Sequence, residues 1–220
     1  MTPTPRLILL PGLGADSRMF DPLREAGVAF ESPAWIAPGE RESLASYAAR
    51  FAGAIDGRGA LVLGGASLGG MVALEMARRL SPRSVVLLSS CRTPMAIRPA
   101  LRRLGVASTA FRNAPVVPAF VAGSFLARWL GASSAEAARG VRAMFADASP
   151  EFVRWGLRAV LEWEGCPDPG VPVRHLHGGK DLLIPASRVA ADLVVSGAGH
   201  VPSMTHPEAV GRFLRDALAA

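Results

Sequence analysis

The chain has 220 residues, of which 50% are hydrophobic and 19% are charged, so it can bury a sizeable core and is not a disordered chain. No apolar run reaches the ~18 residues of a membrane span, and the apolar stretch near the N-terminus is too short for a signal peptide, so we expect a cytoplasmic protein. The net charge of +6 comes from scattered arginines in a chain with 6% aromatic residues, which argues against nucleic-acid binding.

Apolar strands alternate with helical segments along most of the chain. Buried strands are predicted at residues 6–10, 60–63, 85–88, 171–176 and 192–195, with a weaker candidate at 28–34. Helices are predicted at residues 41–56, 71–80 and 207–219. This alternation predicts an α/β fold with a mostly parallel sheet covered by helices on both faces.

The rhythm changes between residues 92 and 165, where arginine- and alanine-rich helical segments are interrupted by prolines. We therefore expect a helical insertion over residues 92–165 between two core segments, 1–91 and 166–220. Its apolar residues either line a pocket or form the insertion's own core: Phe111, Phe120, Phe125, Trp129, Met144, Phe145, Phe152 and Trp155.

The two cysteines, Cys91 and Cys166, have no CxxC spacing and are expected to be reduced thiols. Cys91 follows one predicted strand and Cys166 leads into the opposite end of the next. We therefore expect them to lie too far apart for a disulfide.

The segment GGASLGG, residues 64–70, places one serine among four glycines between a strand and a helix. Glycines two positions before and after the serine, Gly65 and Gly69, would let backbones cross closely at a strained strand-to-helix turn. Such a turn exposes the hydroxyl of Ser67 above the sheet as a candidate nucleophile. The alternative is a glycine-rich turn whose serine only caps the helix.

A serine nucleophile needs a base, and the base needs an orienting acid. His200 follows the last predicted strand and is the expected base, whereas His175 and His177 face the same side of a strand and His206 precedes a helix. Asp181 follows the strand that ends near His177 and is the expected acid. Its rivals precede strands, at the opposite edge of the sheet: Asp168 and Asp192.

Acyl transfer also needs donors for a developing oxyanion. The N–H of Leu68, directly after the serine, is one candidate. The turn after the first strand supplies the other, the N–H of Leu13 beside Gly12.

The segments LILLPGLG, GGASLGG, HLHGGKDLLIP and SGAGHVPSMTHPEAVGRFL, in this order, resemble the α/β-hydrolase fold. The resemblance implies that Ser67 is the nucleophile, Asp181 the acid and His200 the base, that Leu13 and Leu68 are oxyanion donors, and that the segment 92–165 is a variable cap over the pocket. Two departures are notable. The chain starts at the family's third strand, which implies about six strands, and Pro11 stands where a histidine is usual before the oxyanion glycine.

These features predict a serine hydrolase of carboxylic esters or thioesters, with a small-molecule ester substrate and no metal or organic cofactor. The serine excludes the aspartate-nucleophile branches of the fold, the dehalogenases and epoxide hydrolases. Arginines across the segment 92–165 leave open a docked acyl-carrier protein, as in methyl ester esterases of biotin synthesis. Two alternatives also stay open: a ligand receptor with little turnover, and carbon–carbon bond or cyanohydrin cleavage by the same triad.

Overall fold

A computed structural model describes residues 5–103 and 124–220 of the chain. The predictions that concern Phe111 and Phe120 lie outside these residues. None of the helices in the described ranges is both long and apolar enough to cross a membrane.

One parallel sheet organises the described residues, and its strands lie side by side in chain order. They are β1 (Arg6–Leu10), β2 (Leu61–Ala66), β3 (Ser84–Leu88), β4 (Val173–Gly178) and β5 (Leu193–Val195). The predicted α/β fold is confirmed. Because all strands are parallel, the loops that follow them meet at one edge of the sheet, and this edge carries the predicted site residues.

The sheet has five strands in the described ranges, one fewer than the expected six. The candidate strand at residues 28–34 forms only a bridge, in which Glu31 pairs with Ile8 beside β1. The N–H of Glu31 donates to Leu7 O at 2.8 Å, and Glu31 O accepts from the N–H of Leu9 at 2.9 Å. Pro33 follows two residues later and has no N–H to donate, so the pairing cannot continue.

Helices flank the sheet on both faces. They are α1 (Asp21–Glu25), α2 (Leu44–Ala52), α3 (Leu68–Leu80), α4 (Ser124–Trp129), α5 (Ala135–Asp147), α6 (Pro150–Glu162), α7 (Pro202–Thr205) and α8 (Pro207–Ala219). Residues 99–103 are also helical. Helix α8 matches its prediction at both ends, whereas α3 begins three residues earlier than predicted, directly after Ser67.

Two hydrophobic clusters pack on the two faces, because alternate residues of a strand point to opposite sides. Leu63 and Leu87 point toward α2 and α3, while Val62 and Val86 point toward α1 and α8. Strands β1, β2 and β3 are therefore buried almost throughout, which explains their continuous apolar sequences, whereas β5 at the edge of the sheet is largely exposed.

Helix α6 attaches the segment between β3 and β4 to the first of these clusters. Phe152 and Trp155 pack with Trp35 and Tyr47, and the Tyr47 and Trp155 ring centroids lie 4.3 Å apart. The Trp155 indole N–H also donates to Glu42 O at 2.8 Å. These aromatic side chains therefore join the segment to the sheet's helices instead of forming a separate core.

Both cysteines are free and buried, and burial raises the pKa of the Cys91 thiol to about 12. The prediction that they lie far apart is wrong, since the N–H of Cys166 donates to the carbonyl of Arg92 at 2.8 Å. Cys166 therefore lies beside Arg92, near the carboxyl end of β3. The residues between Cys166 and Val173 then run along the sheet to the amino end of β4.

Candidate active site

The turn from β2 to α3 holds Ser67 in an uncommon backbone conformation, with φ 52° and ψ −118°. A non-glycine residue in such a conformation stores strain of order 1–3 kcal/mol, and strain of this kind clusters at functional sites. The Ser67 side chain makes no capping hydrogen bond to α3. Its hydroxyl is therefore not used as a helix cap.

Glycines make this turn sterically possible. A Cβ on Gly65 would collide with the backbone of Gly69, and a Cβ on Gly69 would collide with the carbonyl oxygens of Leu10 and Pro11. The spacing of glycines around the serine thus reflects two backbone crossings, one within the turn and one between the turn and the end of β1.

Three predicted side chains meet above the carboxyl edge of the sheet. The Nε2 of His200 lies 2.9 Å from the Oγ of Ser67, and its Nδ1 lies 2.7 Å from Oδ2 of Asp181. The imidazole and the carboxylate are buried, whereas the serine is partly exposed. In the tautomer that satisfies both contacts, Nδ1–H donates to the carboxylate and Nε2 accepts from the serine hydroxyl.

The Asp181 carboxylate is held by donors on both oxygens. Oδ1 accepts from the N–H groups of Leu183 and Ile184 at 2.8 and 3.0 Å, while Oδ2 accepts from His200. Burial alone would raise the pKa of Asp181, but the His200 charge and hydrogen bonds from His177, His200 and Ile184 outweigh it and lower that pKa below its usual range. The acid therefore stays ionised although it is buried.

His177 is a second contact of this carboxylate, with Nε2 3.3 Å from Asp181 Oδ2. The same nitrogen lies 2.7 Å from the carbonyl of Ile184 and must therefore carry a hydrogen. Its Nδ1 lies 3.0 Å from the Nε2 of His175, within hydrogen-bond distance. His175 and His177 do face the same side of β4, and they form a buried hydrogen-bonded pair behind Asp181.

No group of three or more His, Cys, Asp or Glu side chains in residues 5–103 and 124–220 is arranged to hold a metal ion. Within the pair, His177 contacts the carbonyl of Ile184 and the carboxylate of Asp181. Burial lowers the pKa of His175 to about 4, so its imidazole is neutral near pH 7.

One candidate oxyanion donor directly follows the serine in the chain, and the other belongs to the loop after β1, which packs against the serine through Gly12. The Cα of Gly12 faces Ser67, since a Cβ placed on it would lie 3.6 Å from Ser67 Cβ. Leu68 is the first residue of α3, so its N–H has no partner within the helix. Among the backbone hydrogen bonds of the described residues, none uses the N–H of Leu13. The side chains of Leu13 and Leu68 both contact Gly156 of α6.

Ser90, which the sequence pattern did not single out, supports the turn that carries Ser67. Its hydroxyl donates to the carbonyl of Ser67 at 2.6 Å. The neighbouring Ser89, at φ 45°, accepts from the N–H of Gly178 at 3.3 Å and so links β3 to β4. The available signal was positional, because both serines directly follow a strand that ends at the site's edge of the sheet.

A cavity of about 340 Å³ opens beside the loop that follows β1. Gly14 of this loop and residues from α5 and α6 line it together with an apolar segment near Trp35. None of Ser67, Asp181 and His200 lines this cavity.

This parallel sheet, with a strained serine at a strand-to-helix turn and a hydrogen-bonded histidine and aspartate, defines the architecture of a hydrolase-type α/β protein. The sequence model of the Alpha/beta hydrolase family matches residues 7–213, and the chain belongs to that family. The resemblance drawn from the sequence segments is therefore confirmed at the level of the family.

Solved structures share this fold at low sequence identity. A thermophilic esterase from Thermogutta terrifontis (TM-score 0.73, 24% identity) covers 99% of this chain and 90% of its own. The match to the enol-lactonase from Burkholderia xenovorans LB400 has a TM-score of 0.78 and 19% identity, and it covers 99% of this chain and 92% of the lactonase. The match to the Bacillus megaterium epoxide hydrolase has a TM-score of 0.72 and 12% identity, and it covers 100% of this chain and 95% of that enzyme. No curated protein matches the sequence significantly.

Replacing Gly69 by alanine should destabilise the fold by about 3 kcal/mol, because the new Cβ collides with backbone carbonyls that cannot move aside. The matched control is Gly140→Ala in α5, whose Cβ would meet only the flexible end of Met204, 2.9 Å away. The control should be neutral or slightly stabilising, since alanine favours helix. Urea unfolding measures both, and equal stabilities would contradict the close crossing.

The buried pair predicts a pH-dependent stability. The folded pKa of His175, about 4, lies below the unfolded value of 6.5, so the unfolded chain binds a proton that the folded chain rejects. The contribution of neutral His175 to the free energy of unfolding is therefore fully present above pH 6.5. It decreases as the pH falls toward 4, by about 2 kcal/mol between pH 7 and pH 5. His175→Gln should flatten this part of the profile in urea unfolding, and an unchanged slope would show that His175 does not titrate on unfolding.

Proposed function

We propose that the protein is a serine hydrolase that cleaves carboxylic esters or thioesters through a covalent acyl-enzyme. The observation that carries this proposal is the continuous hydrogen-bonded path from Ser67 through His200 to Asp181. Membership of the Alpha/beta hydrolase family supports a hydrolytic enzyme. A serine at the turn, in place of an aspartate, supports acyl transfer over the epoxide-hydrolase type of reaction.

The mechanism follows from the proton positions in the path. His200 Nε2 takes the proton of the Ser67 hydroxyl as Oγ attacks the ester carbonyl, and then delivers it to the leaving alcohol or thiol. A water molecule attacks the acyl-serine, and the same nitrogen takes its proton and returns it to Oγ. Asp181 keeps Nδ1–H oriented and stabilises the imidazolium that forms in each half-reaction, which its ionised state at neutral pH allows.

The tetrahedral intermediates carry an oxyanion, and the N–H groups of Leu13 and Leu68 are its proposed donors. Both are backbone groups fixed by the fold, so they need little reorganisation when the charge develops. The side chains of these leucines contact Gly156, so α6 has a direct influence on where the two donors lie.

The segment 92–165 serves in this proposal as the cap over the substrate. The Phe145 ring contacts Gly14 of the loop after β1, and Phe152 borders the neighbouring cavity. The acyl or alcohol group of a small ester would therefore lie between this segment and the sheet.

A small-molecule ester is favoured over a carrier-bound one by the charges of α5 and α6. These helices carry four arginines and four acidic residues: Arg139, Arg142, Arg154, Arg158, Glu136, Asp147, Glu151 and Glu162. Acidic carrier proteins dock on surfaces of one positive sign. Because α5 and α6 carry both signs of charge, these two helices offer an acidic carrier protein no uniformly positive surface.

Purified protein should hydrolyse short p-nitrophenyl esters with steady turnover, and Ser67→Ala should reduce kcat by at least about 10⁴-fold because it removes the nucleophile. Stopped-flow kinetics and intact-mass detection of an acylated serine measure the two halves of the reaction. Ser46→Ala, on the exposed face of α2, is the matched control and should leave turnover unchanged.

The outcomes separate the alternatives for this site. Tight binding of an ester without turnover would favour a ligand receptor. Inert behaviour toward all simple esters, with Ser67-dependent cleavage of a β-diketone or a cyanohydrin, would favour the other triad chemistries. Turnover that survives Ser67→Ala would overturn the assignment of the nucleophile.

Gly156→Ala tests the oxyanion donors from a distance. The new Cβ would lie 2.5 Å from Leu13 Cδ1, 3.6 Å from Leu13 Cγ and 3.4 Å from Leu68 Cδ2, so the Leu13 side chain must shift, and we expect the short loop that carries its N–H to shift with it. We expect kcat to fall about tenfold with little change in KM, since the oxyanion exists only after attack. Gly140→Ala in α5 gains the same helix propensity without this contact, and equal kcat values for the two variants would contradict the influence of α6 on the Leu13 donor.

A further inference from the structure

At the C-terminal end of helix α4, the carbonyl of Leu130 is available to accept a hydrogen bond from another part of the protein. The N–H of Ala132 donates to Ala127 O at 2.8 Å, and the N–H of Gly131 donates to Arg128 O at 3.0 Å. With Gly131 at φ +73°, these bonds form a Schellman motif, in which a left-handed glycine ends the helix. The carbonyl of Leu130 lies at this end and has no partner within the helix.

That carbonyl accepts a hydrogen bond from the backbone of His200. The N–H of His200 donates to Leu130 O at 2.9 Å. Leu130 is itself buried, in a cluster that includes Val201, the residue after the histidine. The helical segment between β3 and β4 therefore holds the main chain of the proposed base directly, and not only through side-chain packing.

The two backbones cross here with no room for a side chain. A Cβ on Gly131 would lie 2.6 Å from the Cα of Gly199, and a Cβ on Gly199 would lie 2.6 Å from the Cα of Gly131. On its other side, Gly199 presses against the end of β4, where a Cβ on Gly178 would collide with the carbonyl of Gly199. The residue before His200 is thus enclosed between β4 and the end of α4.

We propose that the turn at Leu130–Gly131 is a positioning element for His200, so that the segment between β3 and β4 sets the distance between the imidazole and the Ser67 hydroxyl. This inference rests on the proposed hydrolase function and assigns a role to residues that do not contact the reacting atoms. An imidazole displaced by about 1 Å loses its alignment with the hydroxyl, and misplacement on this scale can lower the rate about 100-fold.

The chain offers a matched control for this turn. Gly27 ends α1 with the same motif, because the N–H of Val28 donates to Leu23 O and that of Gly27 donates to Arg24 O, both at 3.0 Å. Its φ is +75°, and a Cβ on it would meet nothing within 4 Å. Gly27→Ala therefore has the same left-handed strain as Gly131→Ala but lacks the contact with the histidine loop.

We expect Gly131→Ala to lower kcat for a short p-nitrophenyl ester by about 10- to 100-fold with KM changed less than about threefold, and Gly27→Ala to leave both unchanged. The low-field proton resonance of His200 Nδ1–H should shift or broaden in Gly131→Ala and stay in place in Gly27→Ala. Equal kcat values for the two variants, or an unshifted resonance in Gly131→Ala, would overturn the proposal.

Amide hydrogen exchange of the unmodified protein supplies a test that does not depend on a variant folding. The His200 amide should exchange at least about 100-fold more slowly than a loop amide without an acceptor, and loop-like exchange would overturn the proposal. Failure of the hydrolase function itself gives a different result. In that case the unmodified protein shows no Ser67-dependent turnover, while the resonance and exchange measurements still report on the turn.

Discussion

The hydrogen bond between His200 and Ser67 joins residues that are 133 positions apart in the chain, and the rest of the site depends on bringing them together. The parallel sheet does this by placing the ends of β2, β4 and β5 at one edge. The serine turn, the aspartate loop and the histidine loop must then pass one another closely. Glycine is required where they cross, at Gly65, Gly69 and Gly178, because any side chain would strike a neighbouring main chain.

The buried carboxylate of Asp181 sets a second constraint, since a charge without partners would be costly inside the protein. Two backbone N–H groups and two imidazoles supply those partners. His177 contacts both this carboxylate and the carbonyl of Ile184 through Nε2, and its hydrogen bond to His175 extends the arrangement into the sheet. The acid is thereby held in one orientation, which in turn fixes the tautomer of the imidazole that it contacts.

The segment between β3 and β4 does more than cover the sheet. It contacts the loop after β1 through Phe145, both candidate oxyanion residues through Gly156, and the backbone of His200 through Leu130. The turn that carries the serine, the loop that carries the imidazole and the loop of the other candidate donor thus share one neighbour. In the proposed mechanism, the substrate's cover and the alignment of the reacting groups depend on the same helices.

The sequence by itself determined the fold class, the strand order along the chain and the three side chains that meet, because these depend on local patterns: apolar runs, glycine spacing and polar residues placed after strands. It did not reveal that the segment 28–34 pairs only once, that the cysteine segments are adjacent, or that Ser90 and Leu130 contact the site. These features arise from contacts between distant loops. Only the tertiary structure decides them, since a backbone carbonyl such as that of Leu130 has no sequence signature and its partner is fixed by where the chain packs.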